Sequence, residues 1–179
     1  MKKSRGFTII ELSVAIFILS VGIIGVYNAF SSLVVFTSSS SDRFVASYLA
    51  QEGIEIIRNI RDNNWVLLKE NWKSGLADED IDCSTGCQAD YKTMGTAFSP
   101  LAPYVSDGDY IKIDNDGFYS YSSGQPTKFK RKITITPLAG QDYVMKASVE
   151  VFWDEKPSIL NPSSQPGSIK VEEVLYNWY

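Results

Sequence analysis

Few side chains in this sequence are placed to do chemistry, and the most conspicuous of them is an acid. Glu11 stands at the head of an apolar run that carries no charge from position 12 to position 36. A carboxylate deep in lipid costs roughly 2.5–3.5 kcal/mol even on the mildest scale, so such a residue usually marks a function. Just before it lies Gly6-Phe7-Thr8-Ile9-Ile10, and before that a basic head of Lys2, Lys3 and Arg5. Elsewhere the chemical options thin out. There is no histidine, which removes the commonest general base and the commonest metal ligand together. Two cysteines cannot assemble a thiolate zinc site, although they suit one disulfide in an exported chain. No Gly-x-Ser-x-Gly, Ser-x-x-Lys, Gly-rich phosphate loop or His-Glu-x-x-His occurs. Carboxylates cluster in turns, and no two are marked out as the pair a glycosidase needs. The chain reads as non-enzymatic and without a cofactor.

The element that must position Glu11 is the apolar run itself. It is long enough to cross a hydrocarbon core of ~30 Å, which takes about 20 helical residues. The basic head holds its start in the cytoplasm. Three readings compete for residues 1–36. A secretory signal needs a shorter apolar core and a small-x-small cleavage site, which Ala29-Phe30-Ser31 barely supplies. A plain signal anchor accounts for everything except Glu11 and the Gly6-Phe7 junction. The third reading accounts for both.

Basic leader, Gly6, Phe7, Thr8, then Glu11, then unbroken apolar helix: this succession resembles the start of type IV pilins and of type II secretion pseudopilins. The resemblance implies a prepilin peptidase and methyltransferase that cuts after Gly6 and N-methylates Phe7. It also implies that Glu11 guides assembly with other pilin-like subunits on an inner-membrane platform. Small residues Ser13, Ala15, Ser20, Gly22 and Gly25 suit close helix packing in lipid, though Gly and Ser are common in membrane helices anyway. Many major pilins carry a proline midway along this helix; here none occurs before Pro100.

Beyond position 36 the Ser-rich stretch 37–42 reads as the exposed middle of one continuing helix. Helical periodicity resumes at once, with Phe44, Tyr48, Gly53, Ile57 and Ile60 expected on one side. Arg43, Ser47, Gln51, Glu55, Arg58 and Asp62 are expected opposite them. Asn63-Asn64 should stop the helix. A helix over 7–62 spans about 84 Å at 1.5 Å per residue.

The stretch 65–103 is least readable. Trp65, Leu67, Leu68 and Trp72 suit a short helix or a strand edge. The acidic run at 78–82 invites calcium, which some secretion pseudopilins bind, but most such runs are solvated loops. Cys83 and Cys87 bracket a turn-forming Ser-Thr-Gly, and a bond between them would pin an exposed loop tip. Tyr110-Ile111-Lys112-Ile113, a turn at 115–117 and Phe118-Tyr119-Ser120-Tyr121 read as a hairpin. Asp114-Asn115-Asp116-Gly117 also invites calcium, yet the EF-hand pattern fails for want of a closing glutamate. Lys128, Lys130, Arg131 and Lys132, with Phe129 among them, form a basic–aromatic cluster of the kind a nucleic-acid surface uses. The plainer reading is the solvated start of a strand at 133–136. A net charge of −4 argues against broad binding to nucleic acid. Strands follow at 143–153, with Val144, Ala147, Val149 and Val151 as core, and from 169 to about 178. The ten tyrosines and four tryptophans suit core and sheet-face positions better than a sugar-stacking surface. Those C-terminal strands resemble the sheet of minor pilins and pseudopilins.

The fold expected is α+β: a long N-terminal helix packed on a C-terminal antiparallel sheet. Residues 1–6 are the leader, 7–36 the transmembrane and filament-core helix, 37–62 its amphipathic continuation and 63–179 the head. The function expected is that of a structural subunit, of the minor kind, in a type IV pilus or type II secretion pseudopilus. Such a chain sits once across the cytoplasmic membrane with its head outside, then passes into a cell-surface or periplasmic filament. The rival is a single-pass anchored extracytoplasmic binding domain that never polymerises.

Overall fold

The computed structural model describes residues 6, 8–68, 71–77, 83–95, 101–105, 109–155 and 166–177. One helix, α1 (Ile9–Leu68), takes up 60 residues, about 90 Å at 1.5 Å per residue. The Ser-rich stretch remains helical, as the resumed periodicity required. Ser39 there donates to Glu155 at 3.3 Å, Asp42 pairs with Lys128, and Arg43 approaches Glu155 at 3.8 Å. Before Ser39, no hydrogen bond or ion pair joins the helix to the head among the described residues. The apolar half therefore projects free.

The second half of α1 buries Ala46, Leu49, Ala50, Gly53, Ile57 and Ile60. Two expected members of that face are on the other side. Phe44 and Tyr48 are 69% and 71% exposed, because a 3.6-residue turn puts Phe44 half a turn away from Gly53 and in line with Gln51 and Glu55. Asn63-Asn64 does not stop the helix either. Asn63 bonds the Asn59 side chain one turn back at 2.8 Å, and buried Asn64 donates to the carbonyls of Trp72 and Ser74. Both amides thus find partners without ending the helix, and the chain stays helical through Trp65 to Leu68.

The main sheet is antiparallel and has the order β2-β1-β6-β7-β8. Its strands are β1 (Cys87–Gln88), β2 (Ala102–Pro103), β6 (Phe129–Pro137), β7 (Val144–Trp153) and β8 (Gly167–Tyr176). The register pairs Ile133 with Val149 and Val149 with Val171, so one row crosses three strands under the helix. Ala147, Val149, Val151 and Trp153 are buried, as the alternation implied; Val144 is buried too but is out of phase with them, and Met145 takes the in-phase place in the core. Each fully buried aliphatic side chain contributes ~1.5–3 kcal/mol. The helix lies very close to this row. A Cβ on Gly53 would stand 2.8 Å from Val149 Cγ1, so only glycine allows the approach.

A small sheet of order β4-β3-β5 adjoins it, built from β3 (Lys112–Ile113), β4 (Tyr119–Ser120) and β5 (Gln125–Pro126). The expected hairpin is present, with Ile113 opposite Tyr119 and Gly117 at φ +86° in the turn. Asp114 does not reach out for an ion here. Its carboxylate accepts the Phe118 and Asp116 N–H groups and the Tyr91 hydroxyl, at 2.9, 3.0 and 2.9 Å. The Phe118 N–H above all holds that carboxyl below its usual range.

Cys83 and Cys87 are bonded to each other, with Cα atoms 5.2 Å apart. Ser84 and Thr85 between them are exposed, but both cysteines are buried, and Cys87 pairs with Ile133 and Pro103. The bridge therefore belongs to the sheet rather than to a loose loop tip.

On the outer face of the sheet, Glu172 lies between Lys146 and Lys170, each at 2.8 Å. Hydrogen bonds from the Lys146 and then the Lys170 ammonium hold its carboxyl down to about 2. A folded value below the unfolded one contributes stability that is present above about pH 4.3 and is lost as pH falls towards 2. An NMR titration should show Glu172 still ionised at pH 3. Replacing both lysines by alanine should return it to the ordinary carboxylate range. A wild-type midpoint near 4 would refute the pairing.

Candidate functional site

The candidate site is the start of α1. Thr8 is outside the helix and caps it: its Oγ1 accepts the Glu11 N–H at 3.3 Å, and its carbonyl accepts the Glu11 and Leu12 N–H groups at 3.1 and 3.2 Å. Thr8-Ile9-Ile10-Glu11 has the Ser/Thr-x-x-Glu pattern of a capping box, with Glu11 at the third helical position. The acid is therefore where the positive end of the helix dipole favours it. Gly6 lies outside the helix and is exposed; Phe7, the expected new terminus and methylation site, lies outside the described residues.

Behind this cap the helix surface suits a medium without water. Between Ile9 and Ser38 all but one residue is exposed, and the hydroxyls in that span close on themselves. Ser13, Ser20, Ser32 and Thr37 each donate to the carbonyl four residues back, at 2.8–3.0 Å. These four donors are satisfied within the helix itself, as a medium without water requires. A shallow apolar groove runs over Gly22 between Leu19, Ile23, Val26 and Phe30. This is the one helix among the described residues long and apolar enough to cross a membrane.

The basic cluster does not form a patch. A strand alternates its side chains, so Arg131 points the opposite way from Lys130 and Lys132. Arg131 is wholly buried. It donates to the Leu49 carbonyl and to Glu52, each at 2.8 Å, and to the Ala89 carbonyl at 2.6 Å. Lys128 is engaged with Asp42, while Lys130 and Lys132 sit over Tyr110 and Tyr104, at 4.5 and 5.8 Å from the ring centres. A nucleic-acid surface built on this cluster would thus lack its arginine, which is in the core. The Arg131–Glu52 clamp was legible only in part: the Phe129/Arg131/Ile133 parity shows in sequence, the helical partner does not. The acidic run at 78–82 lies outside the described residues. Elsewhere among the described residues no three acidic or thiol side chains gather around one point.

Comparison with known families decides what the helix start is. Residues 1–27 match the prokaryotic N-terminal methylation motif. This motif is the hallmark of type IV pilins and pseudopilins, and the α+β arrangement of long helix and C-terminal antiparallel sheet is pilin-like. The match covers the pilin-type helix start and not the head. No curated protein and no solved structure matches the chain. A pilin-type motif implies processing by a prepilin peptidase and assembly with other pilin subunits, and it suggests a structural protein. Together with the apolar helix it supports single-pass anchoring in the inner membrane.

Proposed function

We propose that this chain is a structural subunit, of the minor kind, of a type IV pilus or type II secretion pseudopilus. The carrying observation is the methylation motif on residues 1–27, set on a helix whose apolar half projects free of the head. In this reading residues 1–6 remain cytoplasmic and are removed, Phe7 becomes the methylated terminus, and Glu11 serves assembly. Residues 7–36 then leave the bilayer for the filament core, while the head stays outside the membrane throughout. The minor rank rests on the likeness of the C-terminal strands to secretion-type subunits. The direct test is mass spectrometry of the N-terminal peptide from native membranes. Mono-methylated Phe7 is the expected terminus. A terminus after Ser31 would hand the case to a secretory signal, and an uncut Gly6-Phe7 bond to a tethered binding domain.

A further inference from the structure

We infer that the free edge of β8 is a docking site for an extended segment of another protein, which joins the main sheet as one more antiparallel strand. The inference concerns the head alone and does not need the leader to be cut. β8 stands at the edge of the order β2-β1-β6-β7-β8. Beyond its end the Asn177 N–H bonds the Tyr143 carbonyl, and the register continues with Leu175 opposite Met145 and Val171 opposite Val149. Bonded and non-bonded pairs alternate along an antiparallel ladder, so the odd-numbered residues of β8 give their backbone groups to β7. The N–H and carbonyl groups of Ser168, Lys170, Glu172 and Val174 point the other way. No strand bonds them among the described residues. The opposite edge is closed in the usual manner, since β2 has two residues and one is Pro103. β8 has ten residues, no proline and no bulge. Its outward charges do not guard it, because Lys170 and Glu172 pair with each other at 2.8 Å.

On the inner face, Val149 and Val151 are wholly buried, yet Val171 and Ile169 opposite them on β8 are only half-buried. A further strand covers that remaining apolar surface and bonds the outward backbone groups, which is how strand addition gains its affinity. Side chains on β8 define the occupant. Opposite charges across an antiparallel pair stabilise it and like charges do the reverse. The segment therefore sets a cation opposite Glu172, an apolar residue opposite Val171, an acid opposite Lys170 and an apolar residue opposite Ile169, in its own chain order. That acid extends an outer row of alternating sign, Lys132, Glu150 and Lys170, which already crosses three strands. β8 itself has basic, apolar and acidic residues in succession at Lys170-Val171-Glu172, so two copies of this chain match in side chains. They do not match in direction. β8 and α1 run the same way: Arg43 approaches Glu155 near the Trp153–Gly167 pair, and Arg58, farther along α1, meets Glu173. Antiparallel pairing of two β8 edges turns one chain end for end, with its apolar helix directed away from the membrane that holds the other. The occupant is thus a segment of a different protein.

The test uses the full chain in detergent micelles, amide hydrogen exchange read by NMR, and a synthetic peptide, Thr-Thr-Lys-Val-Glu-Val-Thr, as the probe. In the chain alone, the amides of Lys170, Glu172 and Val174 should exchange at least about tenfold faster than those of Val171 and Glu173. Saturating peptide should slow the three outward amides by about tenfold or more and leave the Val171 amide unchanged. A peptide with its lysine and glutamate exchanged should bind about fivefold more weakly. Val174→Pro removes an outward N–H and leaves the ladder to β7 whole, so the head should melt close to wild type. On that variant the peptide should no longer protect Lys170 or Glu172. Outward amides that are already slow in the free chain mean that the chain covers its own edge or, where the slowing grows with protein concentration, that a second copy does. Either result overturns the inference. So does a peptide that protects none of the outward amides, or protects them equally well on Val174→Pro. None of these results bears on the filament reading.

Discussion

Glu11→Gln should leave membrane insertion and leader removal at wild-type levels and remove the chain from filaments. After cleavage, Phe7 carries an α-amino group with a reference pKa of about 7.7–8.0, so it is largely protonated near neutrality. In a filament core, a Glu11 that reaches the Phe7 amine of a neighbour compensates two charges that are each costly to leave alone. Only one axial stagger brings them together, so the pair also sets register. Breaking a buried pair costs about 3–5 kcal/mol, a hundredfold or more in incorporation. The helix start makes glutamine a clean probe. Thr8 Oγ1 binds the Glu11 backbone N–H, which the substitution keeps, and Gln serves at this capping-box position as Glu does. If the acid merely favours the first turn, its charge is worth under ~1 kcal/mol and incorporation falls by less than tenfold. A Gln variant that sediments with sheared filaments as well as wild type would defeat the assembly role.

Arg131→Ala is expected to be the most damaging single change in the head outside the disulfide. Its guanidinium joins three parts of the molecule: α1 through Leu49 and Glu52, the sheet it grows from, and the segment after β1 through Ala89. Alanine leaves two carbonyls short of a donor, Glu52 without its cation, and a void under the helix. Such losses cost about 3–5 kcal/mol, and the lower end applies because the Glu52 side chain is 31% exposed and retains some water. The expected fall in thermal midpoint is about 10 °C, read by near-ultraviolet circular dichroism of the detergent-solubilised chain. Lys132→Ala, one position along and on the outer face, should change stability by no more than about 0.5 kcal/mol. Arg131→Met with Glu52→Gln should recover much of the loss, since the volume is kept and no lone charge remains. Equal midpoints for Arg131→Ala and Lys132→Ala would mean that the cluster is a surface patch after all.

The methylation motif at the start of the chain was legible because its signals are local. A basic head, Gly6-Phe7, the Thr8-to-Glu11 spacing and an uncharged run need no partner elsewhere in the chain. Strand alternation was legible for the same reason over 147–153, where period two puts Ala147, Val149, Val151 and Trp153 inward; at the strand's start both Val144 and Met145 are buried, and the sequence named the one off the helix-facing side. What sequence periodicity misplaced was the meridian of α1 that meets the sheet, since it put Phe44 and Tyr48 with Gly53, Ile57 and Ile60. A helix of mixed composition has apolar residues on more than one side, and Phe44 and Tyr48 outweigh Ala46, Leu49 and Ala50 in bulk. Close approach decided otherwise. The sheet admits the helix only where Gly53 has no Cβ to strike Val149, so the small residues went inward and the aromatics were left outside. The same contact drew Arg131 out of its run of lysines. Strand parity had already turned it inward, and only the packed helix brings Leu49 and Glu52 to a guanidinium some 80 residues away in the chain.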